Sequence, residues 1–297
     1  MPCQDGGPHH ERAVSAVGSR ICIVPHALFV VRVVAGLLFW QHGLEKLFGF
    51  AGARPETALL GIRGIAGILE GVGGPLLVIG LLTRPTAFVL SGEMAVAYFR
   101  AWAPRGFFPI ANGGEEATLN TFIFLWIAAA GPGAWSLDAW LQKDRAPRAL
   151  RQRAADLEPH ARAVLRLVVG LLLTLHGVRK IFDVLPSVAG RVGAPPLALD
   201  SLPAVTGVLE IVAGPLLMAG LFVRQAAWIV AAEAIAAYLV VAQPRGLWPI
   251  RNGGIEALLY AAVMLYFAVA GPGPWSLNGL RTSASRRAAS ASADPPT

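Results

Sequence analysis

The sequence predicts an all-α integral membrane protein of two parallel-repeat four-helix transmembrane bundles, eight spans in total. Three observations carry this. Hydrophobic residues make up 55% of the 297 residues and charged residues only 14%, too apolar for a soluble globule of this length. Eight runs approach the ~20 apolar residues that a spanning helix needs. The first half is also restated by the second. Leu-Glu-Gly-Val-Gly-Gly-Pro-Leu-Leu at 69–77 returns as Leu-Glu-Ile-Val-Ala-Gly-Pro-Leu-Leu at 209–217, and Pro-Arg-Gly-Phe-Phe-Pro-Ile-Ala-Asn-Gly-Gly at 104–114 returns at 244–254.

The spans of the first copy fall at 26–47, 61–83, 85–103 and 114–130; those of the second fall at 160–182, 203–223, 225–242 and 254–270. The first span carries Arg32 and His42 within an otherwise apolar run. The second closes at Thr83-Arg84-Pro85, a tight turn with Pro at the first position of the third span. Asn112-Gly113-Gly114 followed by Glu115 and Glu116 opens the fourth: glycines turn the chain, and the acids sit at the positive end of the helix dipole. Gly131-Pro132-Gly133 stops it, and Trp135 follows where an interfacial aromatic belongs. His42 and His176 are 134 residues apart, Glu70 and Glu210 are 140 apart, so the second copy gained six residues in the loop around 183–202. With an even number of spans per copy, the copies run in the same direction, related by a pseudo-twofold axis along the membrane normal, as a covalent pseudo-dimer.

The expected domains are a disordered tail over 1–20, a first repeat over 21–142, a basic cytoplasmic linker over 143–159, a second repeat over 160–282 and a disordered tail over 283–297. Residues 1–20 lack the apolar core of a signal peptide, which leaves the first span as the insertion signal. The net charge of +7 is spread through loops and termini, which excludes a concentrated nucleic-acid face. Basic residues in the linker (Lys143, Arg145, Arg148) and the C-terminal tail (Arg281, Arg286) put both termini in the cytoplasm of a bacterial-type inner membrane. The two cysteines, Cys3 and Cys22, form no Cys-x-x-Cys, which removes thiol–disulfide exchange within the chain.

Ionisable residues kept in both copies inside lipid need a reason, since each costs about 2.5–3.5 kcal/mol at mid-bilayer on insertion scales. Rise per residue predicts two layers. Arg32 pairs with Glu93 toward the inner side, and His42 with Glu70 toward the outer side; Arg166 with Glu233 and His176 with Glu210 repeat them. The inner pair reads mainly as a register-fixing ion pair. His42 with a carboxylate can relay a proton near neutral pH. Lys46, Asn112, Gly113, Gly114 and Glu116 lie at the same outer mouth, where backbone N–H groups at a helix start suit an anion or an oxygen-bearing headgroup; Lys180, Asn252 and Glu256 are their counterparts. The alternative for Asn-Gly-Gly is a tight turn alone. A metal held by His42, Glu45 and Glu70 is disfavoured, because Arg179 replaces Glu45 in the second copy, so no metal is expected. The first copy is the more polar at this mouth and is expected to hold the more active site.

The run Arg-x-x-x-Gly-Leu-Leu-Phe-x-x-His-Gly-x-x-Lys from Arg32 to Lys46 carries a resemblance, with Gly-x-x-Glu-x-x-Gly-Gly-Pro-Leu-Leu, Gly-Glu-Met-Ala-Val-Ala-Tyr-Phe, Pro-x-x-Asn-Gly-Gly-Glu and Gly-Pro-Gly-x-Trp-Ser-x-Asp. With these residues the first copy resembles the DoxX family throughout, and the second resembles a diverged member. The resemblance implies a four-helix membrane unit. It also implies redox company: relatives include a subunit of an archaeal thiosulfate:quinone oxidoreductase, and others sit with superoxide dismutase and a sulfurtransferase-like partner or accompany oxidative stress. The expectation is a redox-associated membrane subunit with quinone as candidate ligand. His42 and Glu70 handle protons. No cofactor is intrinsic, so a redox partner protein supplies the electron centre. The alternatives are a non-catalytic anchor or assembly subunit and a small-solute transporter.

Overall fold

The computed structural model describes residues 11–141, 147–182 and 202–279, all helix, turn and loop with no strand among them. The helices are α1 (Glu11–Phe48), α2 (Ile62–Ile79), α3 (Thr83–Ala97), α4 (Pro109–Asn112), α5 (Glu115–Ala130), α6 (Leu137–Trp140), α7 (Arg148–Phe182), α8 (Leu202–Ala219), α9 (Val223–Ala237), α10 (Pro249–Asn252) and α11 (Ile255–Ala270). Both long helices, α1 and α7, carry a proline at the same repeat position, Pro25 and Pro159. Two boundaries differ from expectation. Helix α1 already runs from Glu11, inside the stretch expected as tail, and residues 148–159 of the expected linker are the first turns of α7. The loop around 183–201 and the tail at 283–297 lie outside the described residues.

Among the described residues, four helical segments are long and apolar enough to cross a membrane: Ile23–Phe48, Ile62–Ile79, Arg148–Phe182 and Val223–Arg245. Pro203–Ala219 and Ile255–Ala270 are apolar but shorter. Helix α5 has 16 residues, a rise of about 24 Å against a hydrocarbon core of about 30 Å. It is sheltered by protein: Leu119, Ile123, Phe124, Trp126 and Ile127 are all completely buried. The molecule is apolar outside as well as inside. Val72, Phe88, Val96, Leu171 and Val212 are exposed on the helix faces turned away from the core, the arrangement lipid requires.

Packing follows a circuit. Helix α1 packs on α2, α2 on α3, α3 on α5, then α5 on α7; α7 packs on α8, α8 on α9, α9 on α11, and α11 returns to α1. Glycines set the closest crossings. A Cβ on Gly36 would lie 3.0 Å from the Gly74 carbonyl oxygen, and one on Gly43 would lie 2.2 Å from the Gly71 nitrogen. The second repeat repeats this with Gly170 on Gly214 and Gly177 on Gly207. Small residues let helix backbones approach where no water-driven hydrophobic force holds them together.

Candidate functional site

Two polar ends can be distinguished. At the end where α2 closes, Gly80 adopts a left-handed φ of 70° and Leu81 donates to the Leu76 carbonyl, a Schellman-type stop. Arg32, fully buried, satisfies the carbonyls such an end leaves free. It donates to Leu77 O (2.6 Å) and Val78 O (3.1 Å), and to Ala134 O and Trp135 O of the loop after α5. Asp138 accepts from the Leu82 and Thr83 amides at 2.9 Å each, capping α3. Arg166 serves the loop after α11 in the second repeat, donating to the carbonyls of Pro272, Pro274 and Trp275. The expected Arg32–Glu93 and Arg166–Glu233 pairs are therefore not formed. Both guanidinium groups are spent on backbone carbonyls, a structural use.

Glu93 lies instead at the other end, in the first repeat's polar cluster. Four helices feed that cluster: His42 and Lys46 from α1, Glu70 from α2, Glu93 from α3 and Glu116 from α5. His42 Nε2 is 2.6 Å from Glu116 Oε1. Lys46 Nζ donates to Glu70 Oε1. So His42 and Glu70 share one chamber, as expected, but each has a different direct partner. The second carboxylate oxygens of Glu70 and Glu93 are buried without a hydrogen-bond partner. The cluster forms the polar side of a cavity of about 900 Å³. Its other walls are apolar: Ile62, Ile65 and Leu69 of α2 face Val89, Val96 and Ala97 of α3. Ile62, Ile65, Val89 and Val96 are also exposed, so the cavity opens sideways between α2 and α3 onto the apolar outer face. Gly92 stands in that opening with nothing within 4 Å of where a Cβ would be. The wider π-helical turn at Tyr98–Trp102 continues α3 beside it and brings Arg100 and Trp102 to the lining.

The Asn-Gly-Gly turn does not offer the donors expected of it. Asn112, buried, donates to Gly106 O at 2.8 Å and accepts from the Gly114 amide at 2.7 Å; the Gly113 amide donates to Pro109 O. Asn252 makes the same two bonds in the second repeat, each 2.8 Å. Their role is to hold the turn that aims Glu115 and Glu116 inward. Gly113 also lines the cavity, while Asn112 and Gly114 do not.

The second repeat is built differently. Lys180 bonds Glu210 at 2.8 Å and sits 3.9 Å from Glu233. His176, however, reaches across to the first repeat: its Nε2 is 2.7 and 2.8 Å from the two oxygens of Glu115. Tyr260 of α11 donates to Glu115 Oε1 at 2.6 Å. Glu256 lines both this second, 160 Å³ cavity and the first-repeat cavity. Glu115 and Tyr260 were not among the expected site residues. Their signal was faint: a polar residue stands in both copies at the position shared by Asn120 and Tyr260.

Comparison with known proteins fits this architecture. The chain matches the DoxX family at residues 27–102 and again at 161–243. An uncharacterized protein of Haemophilus influenzae is 44% identical over 124 residues, 38% of this chain and 90% of the relative. An uncharacterized membrane protein of Mycobacterium tuberculosis is 29% identical over 139 residues, 40% of this chain and 83% of that one. The inner membrane protein YqjF of Escherichia coli is 29% identical over 128 residues, 39% and 92% respectively. No solved structure matches. Relatives of this length correspond to one repeat, and both halves match separately, so the chain is a membrane protein that belongs to the DoxX family as a tandem duplication of its unit.

Proposed function

We propose that this chain is an eight-span protein of a bacterial-type cytoplasmic membrane, with both termini cytoplasmic, and that its first-repeat cavity binds a quinone as part of a redox-associated membrane assembly. The observation that carries the reading is the form of that cavity. Its walls are apolar and open between α2 and α3 toward lipid, and its far side holds His42, Lys46, Glu70, Glu93 and Glu116. An amphiphile with an apolar tail and an oxygen-bearing ring matches both parts. Four carboxylates, Glu256 with these three, line the cavity beside His42, Lys46, Arg63 and Arg100, an arrangement suited to holding and passing protons. Reduction of a quinone to the quinol takes up two electrons and two protons. In this reading His42 with Glu116, and Glu70 with Glu93, deliver the protons to the quinone oxygens, Lys46 steadies the developing negative charge, and a redox partner protein supplies the electrons.

The eight-span reading is supported by the repeated element order and by the buried setting of α5 and α11, which relieves these short helices of matching the full bilayer. The test is lipid extraction and mass spectrometry of the purified protein, followed by titration with ubiquinone and menaquinone analogues. Stoichiometric quinone in the wild type, lost in Glu70→Gln and His42→Ala, is expected. Absence of bound quinone together with no binding on titration refutes the reading and favours an anchor or assembly role.

A further inference from the structure

We propose that Glu115, His176 and Glu256 form a single divalent metal site across the seam between the two repeats, adjoining the first-repeat cavity that Glu256 also lines but independent of what that cavity binds. The three side chains come from different elements: the first turn of α5, the late part of α7 and the first turn of α11. One ligand atom from each lies within 4.8 Å of the others. One imidazole nitrogen and two carboxylates are a donor set that suits Zn(II) or Mn(II), with water completing the shell.

Four further observations point the same way. Glu210 lines the same cavity, is 4% exposed, and leaves its Oε2 buried with no partner. Three carboxylates, Glu210, Glu233 and Glu256, line the cavity with Lys180 and His176, and Glu115 reaches its edge through its contact with His176; Arg179 donates to Ile110 O at 2.9 Å. A dication offsets the surplus negative charge. The cavity of 160 Å³ is too small for an amphiphile, yet has room for an ion with a few waters at ~30 Å³ each. Finally, Tyr260 donates to Glu115 Oε1 at 2.6 Å and leaves Oε2 free of it, holding the carboxylate as hydrogen-bond partners of metal ligands do. Metal–ligand bonds of about 2.0–2.2 Å place ligand atoms about 3.3 Å apart, so loading requires the His176–Glu115 contact to open by about half an ångström and the Glu256 oxygen, within 4.8 Å of the other two, to draw in to the same spacing.

The site can exist only once. Position 255 holds Ile where its counterpart is Glu115, so the corresponding triad in the first repeat keeps His42 and Glu116 but lacks its third member.

The experiment strips the purified full-length protein in detergent with a chelator, titrates it with Zn(II), and measures bound metal by mass spectrometry. One zinc per chain is expected. His176→Ala and Glu256→Gln should abolish stoichiometric binding, Tyr260→Phe should weaken it about 10-fold, and His42→Ala should retain it. Wild type that binds no stoichiometric zinc, or zinc that survives in the His176→Ala, Glu256→Gln double variant, overturns the proposal. Should the variants fail to fold, zinc-edge X-ray absorption of the loaded wild type decides. One imidazole among oxygen ligands supports the site; sulfur ligation or more than one imidazole overturns it.

Discussion

Replacing Gly43 with Ala tests whether the α1–α2 crossing sets the geometry of the candidate site. The new Cβ would fall 2.2 Å from the Gly71 nitrogen, 2.5 Å from its Cα and 2.8 Å from the Glu70 carbonyl carbon. All three are backbone atoms, so no side chain can rotate away. Relief requires α1 and α2 to part by about 1 Å, to the ~3.5 Å at which carbon atoms pack. Overpacking of this kind costs about 1–3 kcal/mol. At about 2–4 °C per kcal/mol for chains of roughly this size, the melting point should fall by about 5 °C. His42 and Glu70 immediately precede the two glycines in contact, so the same displacement strikes the site. The His42–Glu116 contact is 2.6 Å, and a shift of about 1 Å carries it beyond hydrogen-bonding distance. The assay is thermal unfolding in detergent, followed by tryptophan fluorescence and checked by size exclusion. Gly92→Ala, where a Cβ meets nothing within 4 Å, is the control and should match or exceed wild type by up to about 1 kcal/mol of helix propensity. A Gly43→Ala protein that melts as high as this control would refute the crossing as described.

Other outcomes follow from the same geometry. Gly92→Leu should narrow the opening between α2 and α3 and reduce binding of quinone analogues without lowering the melting point. Arg32→Met should destabilise by about 2–4 kcal/mol, since charge-assisted bonds to buried carbonyls are lost; Arg32→Lys should recover only part of this, because an ammonium cannot span the α2 end and the 134–135 loop as a fork does. Asp138→Ala should cost about 1 kcal/mol through the α3 cap, and Asp138→Asn less, as Asn278 holds that position in the second repeat; unfolding curves of the three proteins check this.

The repeat, the helical class and the membrane setting were legible because each is written in many residues. The site was legible in part. Gathering His42, Lys46, Glu70 and Glu116 at one end needed only axial position along the helices. The layer assignment of Glu93 failed on boundaries. Helix α2 ends at Ile79 and α3 begins at Thr83, which puts Glu70 and Glu93 about 14 and 15 Å from those ends, at one level rather than two. Arg32 failed for another reason: depth gives one coordinate, and the direction a side chain takes around its helix decides whether it meets a carboxylate or a helix terminus. The His176–Glu115 contact was out of reach, because spacing within a repeat says nothing about which residue of the other repeat packs against it. The Asn112 turn stays open in the sequence, since a turn that binds an anion and a turn that binds itself share one sequence; the bonds of Asn112 favour the second.

The seam between α5 and α7 has a genetic consequence. In an assembly of two identical subunits every substitution is inherited twice, so neither site can drift without the other. Here one reading frame encodes both halves separately, and Glu115 and Ile255 record the freedom this gives. A mutation that would ruin a symmetric pair is tolerated when only one half carries it. Glu116, which faces its own half, keeps its counterpart in Glu256, whereas Glu115, which faces the other half, stands opposite Ile255: the two copies of one position are here separately encoded.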